Sequence, residues 1–510
     1  MTAHTSGSPS YARACSPVWV PSPRRALARV RALHGGARVT AASLAVLLAG
    51  AIALRVWLML DYGPAFVGFG DSHEYVTAAM LGVFHDVQKP AGYPIFLSLL
   101  HALSDSLSFT ILIQHALGVA TGVLLFGALR HSGAPAWLGL FPAAVAFFGG
   151  TGLLLEHSLL GDPLFAFLQA LGLYATVRAL GEHGVRWAVL AGLAIGASFW
   201  VKTVGLSSAA LVPCVLALAG RGARRRAPAT AAFVAALALI LGYVPVQGLV
   251  SGYSGYERQD AWNLYGRVAT FVNCSHLRAP AGTRFLCPSE PPAQRQSESY
   301  YQYASTAPAV RRFGGPARAP ARANTALERF SLAAIAQQPL AYVGAIARSL
   351  GFYIDPRAGE GYTPQSIREA LLEAKGVRSI EPSLSAYYPD ARGYLGSASA
   401  TAPLDFYERN TRIQGALLVA MLIAALAGAP LLRARTRAAC LLFTLTALCS
   451  VALAAAGNSY DARYGYPAFA PLAAGAALGA WAIARALRRA GGPRCTAVRG
   501  AWAHGTARLR

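Results

Sequence analysis

The sequence predicts an all-α polytopic membrane protein with about ten transmembrane helices and a mostly helical outer domain. Three observations predict it. Of 510 residues, 55% are hydrophobic and only 13% charged, with a mean hydropathy of +0.41, whereas a soluble chain carries about a quarter charged residues. Ten stretches reach or approach the roughly 20 apolar residues that cross a hydrocarbon core about 30 Å thick. The cations collect at one set of loop ends, as they do at cytoplasmic edges. This apolar content excludes intrinsic disorder, collagen and a small disulfide scaffold.

Each span follows from an apolar run, placed at about 40–60, 107–130, 135–152, 155–178, 186–201, 203–220, 228–250, 412–432, 438–456 and 466–486. The third, fifth and sixth are short and rich in Gly and Ala, residues that let helix backbones approach closely in lipid. Residues 1–38 form a basic cytoplasmic tail, disordered over its Ser-, Pro-, Ala- and Arg-rich first 35 residues. The first apolar run follows about 40 residues and is long enough to stay as an anchor rather than be cleaved as a signal peptide. A transmembrane module at 39–250 contains a first outer loop at 61–106. The 161 residues of 251–411 are polar and bear Tyr and Pro, enough for a folded outer domain. Within them 324–350 and 364–376 have helical spacing and either lie on the membrane or cap a cavity. The last spans occupy 412–488, and a basic cytoplasmic tail ends the chain at 489–510.

The formal net charge of +23 comes from 45 Lys and Arg against 22 Asp and Glu, and all the cations but Lys89, Lys202 and Lys375 are Arg. Arg24, Arg25, Arg29, Arg31 and Arg38 precede the first span. Arg178 and Arg186, then Arg221, Arg224, Arg225 and Arg226, then Arg433, Arg435 and Arg437 crowd later turns. The C-terminus, carrying Arg485, Arg488, Arg489 and Arg494 at and beyond the end of the last span, falls inside like the N-terminus, as an even span count requires. Thirteen of the 22 acids lie in 251–411, and Asp61, Asp71, Glu74, Asp86, Asp105, Glu156, Asp162 and Asp461 map to outer ends or loops. Only Glu182 lies inside. The excess positive charge therefore faces anionic headgroups, and nucleic acid is not needed as a partner. The bias to Arg over Lys and to Ala points to a GC-rich bacterial genome, hence a bacterial inner membrane.

Seven cysteines divide by environment. Cys214, Cys440 and Cys449 lie in apolar spans as small packing residues, and Cys15 and Cys495 lie in the tails. Cys274 and Cys287 share the outer segment; in an oxidising compartment they can close a loop of about 14 residues. Their spacing is not that of a zinc site.

The candidate chemistry gathers on the outer side. Gly70-Asp71-Ser72-His73-Glu74-Tyr75 follows the first span. As a helix it sets Asp71 and Glu74 one turn apart on one face with Tyr75 adjacent, so that two carboxylates either meet one ligand or simply cap a loop helix. Lys89-Pro90-Ala91-Gly92-Tyr93-Pro94 is extended and stiffened by its prolines, and holds the Lys89 ammonium either at a site or among headgroups. Glu156, His157 and Asp162 crowd another outer turn. Asp162 before Pro163 suits an N-cap, and Lys202 sits between two spans. The last outer turn, Asn458-Ser459-Tyr460-Asp461-Ala462-Arg463-Tyr464-Gly465-Tyr466-Pro467, offers either an aromatic interface belt or, through the Arg463 guanidinium, a bidentate grip on phosphate. Ionisable groups from four separate loops at one membrane level favour the functional reading.

The stretch Gly70 to Leu97, with its early Asp, a Tyr four residues later and Lys-Pro-x-Gly-Tyr-Pro before an apolar helix, resembles the GT-C superfamily of membrane glycosyltransferases. It is similar in particular to the dolichyl-phosphate-mannose protein mannosyltransferases and the bacterial lipid A aminoarabinose transferases. Asp461 to Pro467 resembles their Arg-Tyr-x-x-Pro turn, and Glu156 to Phe165 their acidic outer turn before a helix. Residues 251–411 resemble nothing named. The resemblance implies a GT-C-like fold and inverting transfer of a sugar from a polyprenyl-phosphate donor on the outer face. Asp71 then stands at the loop-one general base and Lys89 at the lysine that contacts the carrier phosphate. Ser72 and His73 separate Asp71 from Glu74, where the family often has two adjacent acids.

The residues make this chemistry coherent. A lipid phosphate leaves as a stable anion, so one base and several cations suffice and no general acid is needed, in contrast to glycoside hydrolysis. Asp71 takes the proton of the acceptor hydroxyl, while Lys89, Arg463 and Lys202 bind the donor phosphate. Glu74, Tyr75, Tyr93, Glu156, Asp162, Asp461 and Tyr464 line the substrate site. No cofactor is required and no metal is demanded, although Glu74 with Glu156 or Asp162 could bind a divalent ion. The expected partners are the lipid-linked donor, a lipid, glycan or protein acceptor, and membrane lipids. The alternative is a transporter or flippase of an anionic lipid-linked substrate, but neither duplicated halves nor spans broken at the midplane are visible in the sequence.

Overall fold

The computed structural model describes residues 23–67, 70–84, 87–181, 184–219, 226–355, 382–391 and 398–490. Asp86, Glu182, Arg221, Arg224, Arg225, Cys15, Cys495, the expected helix at 364–376 and most of both tails lie outside the described residues. Those described are helical, with no strand beyond a single isolated bridge between Phe66 and Ser158.

In chain order the first helices are α1 (Pro23–Asp61), α2 (Gly70–Leu81), α3 (Gly92–His101), α4 (Leu107–His131), α5 (Leu140–Phe148), α6 (Gly150–Glu156), α7 (Asp162–Ala179), α8 (Gly184–Val201), α9 (Gly205–Leu218) and α10 (Arg226–Ser251). The middle of the chain forms α11 (Gln259–Ala269), α12 (Glu298–Tyr303), α13 (Pro308–Phe313), α14 (Ala321–Gln337), α15 (Pro339–Ile354) and α16 (Pro382–Tyr387). The last helices are α17 (Ala398–Thr411), α18 (Gly415–Gly428), α19 (Ala434–Gly457) and α20 (Tyr466–Ala490). α1 begins inside the stretch expected as a disordered tail. Its opening Arg, Ala and Leu residues are good helix formers and run on into the first span.

Among the described residues, seven helices are long and apolar enough to cross a membrane, or nine if each of two bent pairs counts as one span. The protein is thus a helical multi-pass membrane protein, with seven to nine candidate spans among the described residues where about ten are expected. The deficit arises at identifiable breaks. Gly149 adopts an extended conformation, so α5 stops and α6 restarts at 54°. The expected span 155–178 is interrupted because residues 157–159 bond to the loop after α1 instead of continuing a helix: Phe66 N donates to His157 O at 3.0 Å and Leu159 N to Phe66 O at 3.4 Å. α7 then starts at Asp162 with Pro163 in its first turn. α9 has only 14 residues, about 21 Å at the helical rise, too short to cross alone. The second bent pair, α14 and α15 at 101°, lies in the segment expected outside the bilayer, and α15 exposes Leu340 and Val343.

Close helix approach depends on small residues, as bundles in lipid require. A Cβ on Gly428 would fall 2.3 Å from the Gly479 Cα, so α18 and α20 meet backbone to backbone. The segment after α10 has its own core of Trp262, Tyr265, Tyr301, Leu327 and Phe330, stapled by a Cys274–Cys287 disulfide. Buried Arg267 ties this unit to the bundle. It donates to the Asn458 carbonyl just past α19 at 2.6 Å, to Glu298 at 2.8 Å and to the Ser349 hydroxyl at 2.8 Å, a cation placed where a helix C-terminus leaves carbonyls unpaired.

Candidate active site

Three loops deliver the central residues. Asp71 lies in the first turn of α2. Lys89 precedes Pro90 in the turn before α3, which Tyr243 steadies, its hydroxyl oxygen accepting from the Ala91 N–H at 2.9 Å. Arg463 lies in a 3-10 turn, Ala462–Gly465, capped by Asp461, whose Oδ1 accepts from the Arg463 backbone N–H at 2.9 Å. These side chains meet although Asp71 and Arg463 are 392 positions apart. Asp71 Oδ1 lies 2.9 Å from Lys89 Nζ, and Oδ2 accepts from Arg463 Nη2 at 2.7 Å. Each cation has a second carboxylate: Glu74 is 3.4 Å from Lys89, and Asp461 is 3.1 Å from Arg463 Nε. Beside them Lys202, just past α8, donates to Asp162 Oδ1 at 2.7 Å and lies 5.5 Å from the Tyr464 ring centre.

These groups share a cavity of about 340 Å³. Asp71, Tyr75, Lys89, Asp162, Lys202, Arg463 and Tyr464 form its charged end, and Phe165, Phe199, Val201, Leu206, Leu453 and Ala454 its apolar wall. Glu257, Gln259, Asp260 and Asn263, from the start of the Cys-bridged unit, close the remaining side.

Electrostatics divide the charges. Burial would raise the Asp71 pKa, but Lys89 and Arg463 outweigh it and hold the carboxyl well below the usual carboxylate range. Burial would likewise lower Lys89, but Asp71 and Glu74 lift it above the usual lysine range. Lys202 has a single close carboxylate, so burial prevails and its pKa is lowered. Burial pushes Asp461 up to about 6 against the pull of Arg463. Across the cavity, burial and then the charge and hydrogen bond of Asp260 raise Glu257 well above the carboxylate range, and burial raises Asp260 as well.

Of the residues singled out in the sequence, Asp71, Tyr75, Lys89, Asp162, Lys202, Arg463 and Tyr464 converge on the cavity wall. Glu74 and Asp461 stand behind it, holding Lys89 and Arg463. Two expected substrate ligands are displaced. Glu156 is fully buried and bonded to Arg55 at 2.8 Å, because an arginine in the middle of an apolar span needs a carboxylate and takes this one. Tyr93 is also fully buried; its hydroxyl donates to Gln114 Oε1 at 2.5 Å, and its ring meets Tyr75 edge-on with centres 4.8 Å apart. The metal pairings of Glu74 with Glu156 or Asp162 are taken up by cations instead, and among the described residues no group of three His, Cys, Asp or Glu is placed to hold a metal ion.

Sequence reasoning missed Arg55 and the acid pair Glu257 and Asp260. Arg55 was signalled by being an ionisable residue inside the first apolar run. Glu257 and Asp260 were signalled only by following closely on α10, at the same level as the other acids.

No protein-family model matches the chain, and no curated protein matches it.

Proposed function

We propose that the protein is a membrane glycosyltransferase that moves a sugar from a polyprenyl-phosphate donor to a hydroxyl of a lipid, glycan or protein acceptor, with inversion, on the outer face of a bacterial inner membrane. The N- and C-termini then lie in the cytoplasm. The observation that carries this reading is a carboxylate, Asp71, held 2.9 and 2.7 Å from two buried cations on the wall of a cavity whose other wall is apolar. Lys89, Arg463 and Lys202 suit a lipid phosphate, and Phe199, Leu206 and Leu453 suit the first isoprene units.

In the proposed step the acceptor oxygen forms a bond to the anomeric carbon from the face opposite the phosphate. The bond from that carbon to the phosphate oxygen breaks, and its electron pair leaves on the phosphate, which gains one negative charge. The hydroxyl proton passes to Asp71. As Asp71 is neutralised, Lys89 and Arg463 turn from it to the leaving phosphate, so fixed cations supply the stabilisation where charge develops.

The test uses the purified full chain in lipid nanodiscs, supplied with a polyprenyl-phosphate sugar and with hydroxyl acceptors of each class. Acceptor-dependent release of the polyprenyl phosphate is expected. Movement of intact donor across a bilayer without any release would reject the reaction and leave a flippase.

A further inference from the structure

Four ionisable side chains that this chemistry does not touch form a closed hydrogen-bonded chain inside the bundle. Arg55 on α1 donates from Nε and Nη2 to the two carboxylate oxygens of Glu156, each at 2.8 Å, and from Nη1 to the carbonyls of Ala51 at 3.1 Å and Phe147 at 3.0 Å. Glu156 Oε2 faces His115 Nδ1 on α4 at 3.1 Å. His115 Nε2 faces His157 Nδ1 at 3.0 Å, and His157 Nε2 meets the Tyr62 carbonyl at 2.9 Å. None of the four is more than 4% exposed. Gly118, one turn beyond His115, admits the carboxylate, since a Cβ there would lie 1.9 Å from Glu156 Oε1. Among the described residues, Tyr407 on α17 and Tyr466 on α20 also feel Glu156 and Arg55.

The donors in this chain can be assigned by elimination. A carbonyl only accepts, so His157 Nε2 carries a hydrogen. A carboxylate forked by arginine only accepts, so His115 Nδ1 carries one too. The contact between the two rings needs a third. We infer that the two histidines together hold three ring protons, one more than two neutral imidazoles, and that the chain they complete is a positioning device for the loop that carries Asp71. The extra charge belongs on His115, beside the carboxylate; burial and then that neighbouring ring push His157 down to about 3. A proton relay does not fit, because the chain ends on an arginine at one side and an amide carbonyl at the other, neither of which passes a proton on.

The positioning follows from what the chain grips. His157 holds the Tyr62 carbonyl, and its own carbonyl accepts from Phe66 N at 3.0 Å, while Phe66 O accepts from Leu159 N. Asp71 lies in the first turn of α2, five residues after Phe66. From the other side Gln114 donates to the carbonyls of Glu156 at 3.0 Å and Ser158 at 2.7 Å, and accepts from Tyr93, which packs on Tyr75. The loop after α1 and the break after α6 are thereby fixed to each other beneath the cavity. The catalytic consequence rests on the reaction proposed above; the proton count does not.

Nitrogen-15 NMR of histidine-labelled full-length protein in nanodiscs tests the count. One ring is expected to carry two protonated nitrogens, as the contacts require, and that signal should vanish in Glu156→Gln as well as in His115→Asn. Neutral rings throughout would overturn the inference, and the unmodified protein alone decides this. Hydrogen exchange tests the positioning: the amides of Phe66 and Leu159 should exchange about tenfold faster in His115→Asn, the loss of one charge-assisted hydrogen bond, with no change in His131→Asn. Unchanged exchange in His115→Asn would refute the positioning role. In a turnover assay His115→Asn should lower kcat with donor binding retained. If the unmodified protein releases no carrier, the reaction fails, while spectrum and exchange still decide this inference.

Discussion

Replacing Asp71 by asparagine should separate donor affinity from turnover. The carboxylate lies between Lys89 and Arg463, with side-chain exposures of 14, 15 and 8% for the three residues. The amide keeps the shape and removes the charge. Breaking a buried ion pair outright costs about 3–5 kcal/mol, but Lys89 keeps Glu74 at 3.4 Å and Arg463 keeps Asp461 at 3.1 Å. The stability loss should therefore stay at about 3 kcal/mol, the lower edge of that range, and the variant should fold. In the unmodified protein a donor phosphate must take both cations from Asp71; with that competitor gone, affinity should rise by up to about tenfold, or ~1.4 kcal/mol. Turnover should fall by about 10²–10⁴, the contribution of a general base. Titration of the polyprenyl-phosphate sugar, without acceptor, into nanodisc-held protein gives the first quantity, and carrier release gives the second. Turnover close to the unmodified rate, or donor binding tenfold weaker in a folded variant, would refute the reasoning.

Arg463→Gln should make stability depend on pH above neutrality. Asp461, pushed up to about 6 by burial, binds a proton more tightly folded than unfolded, so stability present in acid is lost as pH rises from about 4 to 6, by roughly 3 kcal/mol. Without Arg463 that rise is unopposed, and thermal unfolding midpoints should keep falling between about pH 6 and 8 in the variant but not in the parent; parallel profiles would disprove it. Cys274→Ser should remove about 3 kcal/mol from the unit around Trp262 and Phe330 by the loop-entropy relation, seen as a lower unfolding midpoint that reductant reproduces in the parent. Gly118→Ala should destabilise by about 2–4 kcal/mol, because the new Cβ evicts a buried carboxylate. Gly36→Ala, with nothing within 4 Å of the added atom, should be neutral or slightly stabilising in the same thermal assay.

How much of this was readable in the sequence depended on the distance over which each feature is determined. Apolar runs are local, so α1, α4, α8, α10 and α19 could be placed from composition. The meeting of Asp71, Lys89 and Arg463 was also accessible, because a span fixes which membrane level its end occupies and charged loop ends at one level have few places to go. Breaks were harder. Gly149 reads as one more small residue in an apolar stretch, and only its extended backbone ends α5. The pairing of Glu156 was hidden for a related reason. Its neighbours His157 and Asp162 lie near the loop side, but its own side chain points to Arg55, 101 positions away. That pairing is set by helix packing, which no local pattern reports. Glu257 and Asp260 reach the cavity wall through the fold of the Cys-bridged unit, and the sequence there carries no motif.

The charges around the cavity explain how such a cluster can be stable empty and reactive when filled. Lys89, Lys202 and Arg463 face Asp71, Glu74, Asp162 and Asp461, so the buried charges nearly cancel and each has a partner, the condition under which burial of ions is tolerated. Asp71 is then a weak base, since both cations favour its charged form. In the proposed reaction a seated phosphate draws those cations away. What remains acting on Asp71 is burial, which raises its proton affinity. Base strength is thus supplied by the donor itself, and a water molecule in the empty cavity meets a carboxylate too weak to activate it. As transfer proceeds, the positive charge gained by protonating Asp71 balances the negative charge gained by the phosphate. The net charge of the buried site stays constant, and no counter-ion has to enter from solvent during the step.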